Sequence, residues 1–599
     1  MRGKPVSRPW FVRHGLVFTL FVLLVATGCA APATATPAPT AGEVQTPQPS
    51  VAATTSAPQP TAAETSTSAA TATAKKGGIL RTVSAWGNLV KNFNPLFPGG
   101  NPTPGTRSAL YEPLFYFNNV TGKETPLLGV SYTWKDNNLT LEVKTREGVL
   151  WNDGQPFSAD DVAFTFNYLK QFPQLDTGRI WQTGLSSVQA TDANTVVFKL
   201  STAFVPIFNM SLGTQLIVPK HIWESVADPA TYDNPNPVGT GPFLVKSFDP
   251  QAIIYERNPK YWMPDKPYVD QVVMQAVNSN DSQLLSLLGK EADFGYMGIG
   301  HPETAFVAKN PDHNKIYWPV TNYNLLYFNL LKKPFNDPAF RQAVAYAIDT
   351  ASAADKAYGP TVKAGSPSLI IPSQVDQWLD PANKANFYSY DAAKAKSILE
   401  GAGYKWGSSG ELILPSGEAM PAMNILVGSG WTDFITIAQV ITENLKQIGI
   451  TANIDQEAWN TYISSLMSGT YDTAICWGMT SGSTPFPMLY YTFGGSFYAP
   501  EGKTANSNYA RYKNDTVDKA LADFAGTTDP AVQKQAINTA VGQLLKDLPV
   551  VVLTERTNFS CYTTWNFTGW PSTDDPYNDG AALDTPGSGE MVLLNVHQN

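Results

Sequence analysis

Residues 422–477 constrain the fold of this chain more than any other stretch, because three apolar runs there are separated by two helical patterns. Residues 422–427 read as a buried strand, 433–448 as a helix with Gly449 at its C′ position, and 450–454 as a second strand. Residues 459–467 continue as a helix and 472–477 as a third strand. Strands joined through helices pair in parallel with right-handed crossovers, so this order predicts an α/β fold with a mainly parallel sheet. Ligands of such sheets bind beyond the carboxyl ends of the strands, which makes residues 475–482 a candidate cleft wall.

The first 76 residues are of another kind. Arg2, Lys4, Arg8 and Arg13 precede an uncharged apolar run at 16–27. That run has the length of a signal-peptide core and falls short of the roughly 20 apolar residues of a bilayer span. Small residues, Ala26, Thr27 and Gly28, then stand before Cys29. This resembles the lipobox of bacterial lipoproteins, with Ala26 where leucine is usual. The resemblance implies a signal peptide at 1–28 and lipidation of Cys29; an uncleaved signal anchor is the alternative. Either places the remainder outside the cytoplasm. Residues 30–74 are almost wholly Ala, Thr, Pro, Ser and Gln without an aromatic ring, too little apolar surface to offset the entropy of ordering. Residues 29–76 are therefore expected to act as a tether to the membrane.

Beyond the tether no stretch is long and apolar enough to span a bilayer, so the rest reads as a large globular body. Without the four basic residues of the leader, the formal net charge of −9 becomes about −13, which excludes electrostatic attraction to nucleic acid. Cys476 and Cys561 are too few for a disulfide scaffold and are expected as separate buried thiols, pairing being the alternative. Within the body, residues 140–144 alternate as a strand. Ser158 with Asp161 three residues later forms a capping-box pattern ahead of Val162, Phe164, Phe166 and Leu169, one apolar helix face. Capping accounts for the paired acids Asp160 and Asp161 better than acid/base chemistry does.

Longer motifs carry a resemblance. The run from Arg146 through Trp151, Asn152, Asp153, Gly154 and Ser158 to Val162 is similar to the signature of the peptide-type extracytoplasmic solute-binding proteins of ABC importers, solute-binding family five. Asn236 to Phe243 (NPVGTGPF), Glu256 to Trp262 (ERNPKYW) and Arg341 to Asp349 (RQAVAYAID) follow in the family's order. The resemblance implies a two-lobed periplasmic-binding-protein fold (type II, cluster C) with an extra domain inserted in lobe I. The expected division is lobe I at 77–110, 239–320 and 551–599, the inserted domain II at 111–238, and lobe III at 321–550. Hinges are expected at Thr321, Asn322, Val550 and Val551. Gly239 and Gly241 are expected to permit positive φ where the chain re-enters lobe I, and Arg341 to be a packing group rather than a ligand clamp.

The resemblance also implies a ligand site near the third strand, and a departure there. Peptide-binding relatives carry an Asp that holds the peptide's ammonium; the matching position is Ser481, and no carboxylate occurs from Thr473 to Pro500. An unpaired desolvated ammonium costs several kcal/mol. Oligosaccharides, which need aromatic faces and hydroxyl or amide partners, are the preferred ligand class and oligopeptides the alternative. The candidate ligand residues are Trp477, Gly478, Ser481, Ser483, Phe486 and Tyr490. ABC permease subunits are the implied protein partners of a monomeric chain, with no cofactor or metal.

Enzyme patterns fail on particulars. Lys503 and Thr504 follow Gly502 as in a phosphate-binding loop, but the glycine needed five positions earlier is Phe497. His221, His301, His313 and His597 are scattered. A glycan-active enzyme with two facing carboxylates is the remote alternative.

Overall fold

The computed structural model describes residues 74–84, 88–98, 102–277, 279–479 and 481–599. The expected signal peptide, Cys29 and the tether up to residue 73 lie outside the described residues. Among the described residues, three sheets of four or more strands organise the chain. The largest has seven strands in the order Asn314–Tyr317, Ser560–Thr563, Phe294–Tyr296, Ile79–Ser84, Gln271–Ala276, Ala252–Arg257, Phe243–Asp249. A five-stranded sheet runs Ala452–Glu457, Met423–Gly428, Thr473–Trp477, Val320–Phe328, Val550–Thr557. The third is an antiparallel sheet of Gly129–Lys135, Thr140–Thr145, Thr195–Leu200 and Leu185–Asp192, and it lies within residues 111–238.

The α/β unit read from the sequence builds the centre of the five-stranded sheet. Met423–Gly428 pairs in parallel with both Ala452–Glu457 and Thr473–Trp477. Val320–Phe328 then runs antiparallel to Thr473–Trp477 and to Val550–Thr557, so four strands point one way and one opposes them. The second strand starts two residues later than expected. Gly449 takes φ 81° and Ile450 N–H donates back to Leu445 O at 3.1 Å, so the helix C-cap consumes residues the apolar pattern assigns to the strand. Alternation in Val320–Phe328 decides the layering. Tyr323, Leu325 and Tyr327 pack beneath the helices Asp515–Ala525 and Pro530–Asp547. Leu326 and Phe328 face Thr432–Lys446 and Pro338–Ala347 on the other side.

The chain passes between the seven- and five-stranded sheets twice, at Trp318 and Pro319 and again at Asn558 and Phe559. The passages lie side by side, since Asn558 N–H donates to Pro319 O at 3.1 Å. Thr321 and Asn322 open the strand just after the first passage. Val550 and Val551 require correction: they pair with Tyr327 and Leu326 inside the sheet and are buried. The strand runs on to Thr557, so the second passage, and with it the lobe boundary expected at 550, falls at Asn558 and Phe559.

Local details follow side-chain chemistry. The helix Ala159–Gln171 begins with the expected capping box, in which Ser158 and Asp161 each accept the other's backbone N–H. Arg341 is buried and donates to the carbonyls of Phe335, Asp547 and Leu548, tying its helix to the end of Pro530–Asp547. Cys476 and Cys561 are separate buried thiols. The glycines at the re-entry into the seven-stranded sheet act by another means than expected. Neither Gly239 nor Gly241 has positive φ. A Cβ on Gly239 would stand 1.9 Å from Leu110 O, and one on Gly241 2.4 Å from Ala109 O, so it is close backbone approach that excludes a side chain. No helix among the described residues is long and apolar enough to cross a membrane.

Candidate ligand-binding site

The carboxyl ends of two parallel strands converge where the two large sheets face each other. Thr473–Trp477 delivers Trp477, and Met423–Gly428 delivers Trp431 three residues past its end. A Cβ at Gly428 would meet the Trp431 ring at 2.4 Å, so glycine there lets the indole fold back over the strand end. Trp431 and Trp477 lie 5.7 Å apart, and Trp459, at the start of the next helix, stacks parallel to Trp477 at 6.4 Å. The Trp459 side chain stays half exposed.

Trp431 and Trp477 line a cavity of about 430 Å³ with Tyr358, Asp433, Arg556 and Phe559. Gly298 and Gly300, on the seven-stranded side, complete it, so both lobes contribute. Its charges are engaged. Arg556 lies over the Trp477 ring at 5.0 Å, and the Tyr358 hydroxyl donates to Asp433 at 2.7 Å. Burial, then the neighbouring Asp433 charge, pushes the Tyr358 phenol well above its usual range, so it remains a donor. Among the described residues no three His, Cys, Asp or Glu side chains group to hold a metal ion.

Three further cavities continue along the interface. One of about 410 Å³ is lined by Tyr296, Asn558 and Asp579; a middle one of about 260 Å³ shares Asn119 and Asp579 with it. A distal one of about 600 Å³ shares Asn209 and Ser483 with the middle one. The lobes touch across this line, with Asn209 Nδ2 donating to Ser483 Oγ at 2.7 Å and Val205 N–H to Ala525 O at 2.7 Å.

Of the six expected ligand residues, Trp477 and Ser483 line cavities. The other four are held in packing. Ser481 is fully buried, its N–H on Thr321 O at 3.1 Å and its hydroxyl 3.9 Å from Met488 Sδ. A carboxylate at that position would be buried beside the Met488 thioether. Phe486 is also fully buried, stacked on Phe524 at 4.6 Å and on Tyr490 at 5.1 Å, and Tyr490 packs on Phe204. Gly478 fastens the strand end, donating to Tyr323 O and accepting from Asn322 Nδ2. Trp431, Tyr358, Asp433 and Arg556 escaped the sequence reading. The rule that singled out the third strand's end applies equally to Gly430 and Trp431 after the first parallel strand.

Two α/β lobes, joined by two adjacent passages and facing each other across a line of cavities, define a two-lobed solute-binding protein. Residues 123–499 match the family model described as bacterial extracellular solute-binding proteins, family 5, middle region. The chain belongs to that family, the extracytoplasmic substrate-binding proteins of ABC importers. Among its relatives, the glutathione-binding protein GsiB of Escherichia coli O1:K1 / APEC is 24% identical over 515 residues, covering 83% of this chain and 93% of its own length. A periplasmic oligopeptide-binding protein of Thermotoga maritima superposes with a TM-score of 0.78 at 26% identity, over 87% of this chain and 99% of its own. That protein bound to mannohexaose gives a TM-score of 0.73 at 27% identity, over 87% and 98%.

Proposed function

We propose that this chain is a lipid-anchored receptor that captures a neutral oligosaccharide between its two lobes and delivers it to an ABC permease. The observation that carries the ligand class is the wall formed by Trp431 and Trp477, facing a cavity in which the acid and the guanidinium already have partners. Aromatic faces meet the C–H faces of a sugar ring, and the backbone of the glycine-lined side offers polar partners for its hydroxyls. The mannohexaose complex of the Thermotoga maritima relative supports this reading, because it is a sugar held by a protein named for oligopeptides. A second reading, an oligopeptide, is favoured by Asp433, the one carboxylate among the described residues lining that cavity, which would accept an ammonium.

Calorimetry with neutral β-linked oligosaccharides and with di- to pentapeptides separates the two. Heat from the sugars is expected, with Trp477→Ala weakening binding about tenfold or more, taking stacking at roughly 1 to 3 kcal/mol per ring as for nucleobases. Tight peptide binding abolished by N-acetylation, with no heat from any sugar, would replace this reading with the second.

Anchoring rests on Cys29, at the end of the apolar run and ahead of the Ala/Thr/Pro-rich segment. Mass analysis of protein from the membrane fraction is expected to find a diacylglyceryl group on Cys29, and Cys29→Ala to lose it. An unmodified Cys29 in the native chain refutes the anchor.

A further inference from the structure

The distal cavity of about 600 Å³ shares no lining residue with the cavity at Trp431 and Trp477. It opens between the four-stranded sheet and helices of the five-stranded lobe. Tyr132 and Trp134, two residues apart on the strand Gly129–Lys135, present their rings from the same face of the sheet. Gln377, Trp378 and Gln533 approach from the opposite wall. Tyr132 is braced against Phe208 at 4.1 Å, and its hydroxyl donates to Glu124 at 3.1 Å.

Two polar groups of lining residues are unanswered there, Trp378 Nε1, buried without an acceptor, and an amide oxygen. Asn209 uses its Nδ2 on Ser483, while its Oδ1 is buried without a donor. A buried acceptor left unmet is destabilising, and the Asn209 oxygen belongs to a side chain lining both the distal and the middle cavity. From there the line of cavities leads through Asn119 and Asp579 to Tyr296, whose ring meets Phe559 of the tryptophan-lined cavity at 5.9 Å.

We propose that this distal cavity is a second sugar subsite, in which Tyr132 and Trp134 form the platform and Asn209 Oδ1 accepts a ligand hydroxyl. The inference rests on the oligosaccharide reading. Its consequence is selection by length: a ligand long enough to reach from Trp477 past Ser483 engages both aromatic platforms, and a disaccharide engages one. Lys123 and Glu124 line the cavity too, the latter already held by the Tyr132 hydroxyl, and the amides of Gln377 and Gln533 add donors and acceptors that suit the mixed hydroxyls of a sugar rim.

Calorimetry of the full chain with β-linked disaccharide and hexasaccharide tests it. The hexasaccharide is expected to bind at least tenfold more tightly. Trp134→Ala should remove most of that advantage and leave the disaccharide unchanged. Gln377→Ala, at an exposed position that places no demand on folding, should reduce it severalfold in the same selective way. Equal affinity for both lengths, or variants that weaken both alike, overturns the distal subsite alone. Silence from every sugar overturns the oligosaccharide reading and this subsite with it.

Discussion

Gly239→Ala is expected to lower stability by about 3 kcal/mol or more, or to abolish soluble expression. The added Cβ would stand 1.9 Å from Leu110 O and 2.9 Å from Leu110 C. Those are backbone atoms, so no rotamer change relieves the clash, and overpacking that forces the main chain apart costs about 1 to 3 kcal/mol even in milder cases. Leu110 O also accepts the N–H of Gly241 at 3.0 Å, and Gly239 O accepts that of Asn152 at 3.0 Å, so separating the two segments breaks hydrogen bonds on both sides. Gly148→Ala is the control. Gly148 has φ 75° with nothing within 4 Å of an added Cβ, so it should cost only the left-handed strain of about 1 to 2 kcal/mol. Thermal melts that rank the two variants equally would refute the close-approach account.

The contrast at these glycines shows what a single sequence makes legible. The parallel core at 422–477 was readable because periodicity, caps and crossover handedness are local and agree with one another. A glycine's reason is not local: Gly239 lies 129 positions from the residue that excludes its side chain, and the sequence offers only the residue type. The same limit separates Trp477 from Phe486. Both are aromatic residues near the strand end, yet one lines a cavity and the other is stacked on Phe524, contributed by a helix some 40 residues away. Arg556 and Tyr358 join Trp477 through tertiary contacts of that sort. Trp431 was reachable, since it follows a parallel strand in a segment the sequence already delineates. The strand Val550–Thr557 hid the second passage because its apolar run gives no sign of where pairing passes from one sheet to the other.

Glu590→Gln is expected to leave the fold intact and to remove a loss of stability that the native chain suffers as pH rises. Glu112 and Glu590 are fully buried and hydrogen-bond one another, and both carboxyls are pushed up by burial, Glu590 well above its usual range. Tyr261 donates to both, at 2.9 and 3.2 Å, and Trp262 Nε1 donates to Glu112 at 2.9 Å. Glu590 Oε2 has no donor, which suits a carboxyl that keeps its proton. The nearby cation, Arg146, is spread over the Trp262 ring at 4.2 Å with its Nε on Leu127 O. Two like charges in one buried site cannot both form, so the pair retains a proton. The sign follows from the raised folded pKa. The protonated pair stabilises the fold fully below the unfolded glutamate range near pH 4.3. That stabilisation declines as pH rises toward the folded value, by about 1.4 kcal/mol for each unit between the two. The amide of glutamine supplies the shared N–H at every pH, so the melting temperature of Glu590→Gln should fall less than that of the native chain between pH 5 and 9. Glu590→Ala, which removes the donor and opens a cavity, should be destabilised throughout. Parallel pH profiles for the native chain and Glu590→Gln would show that the pair shares no proton.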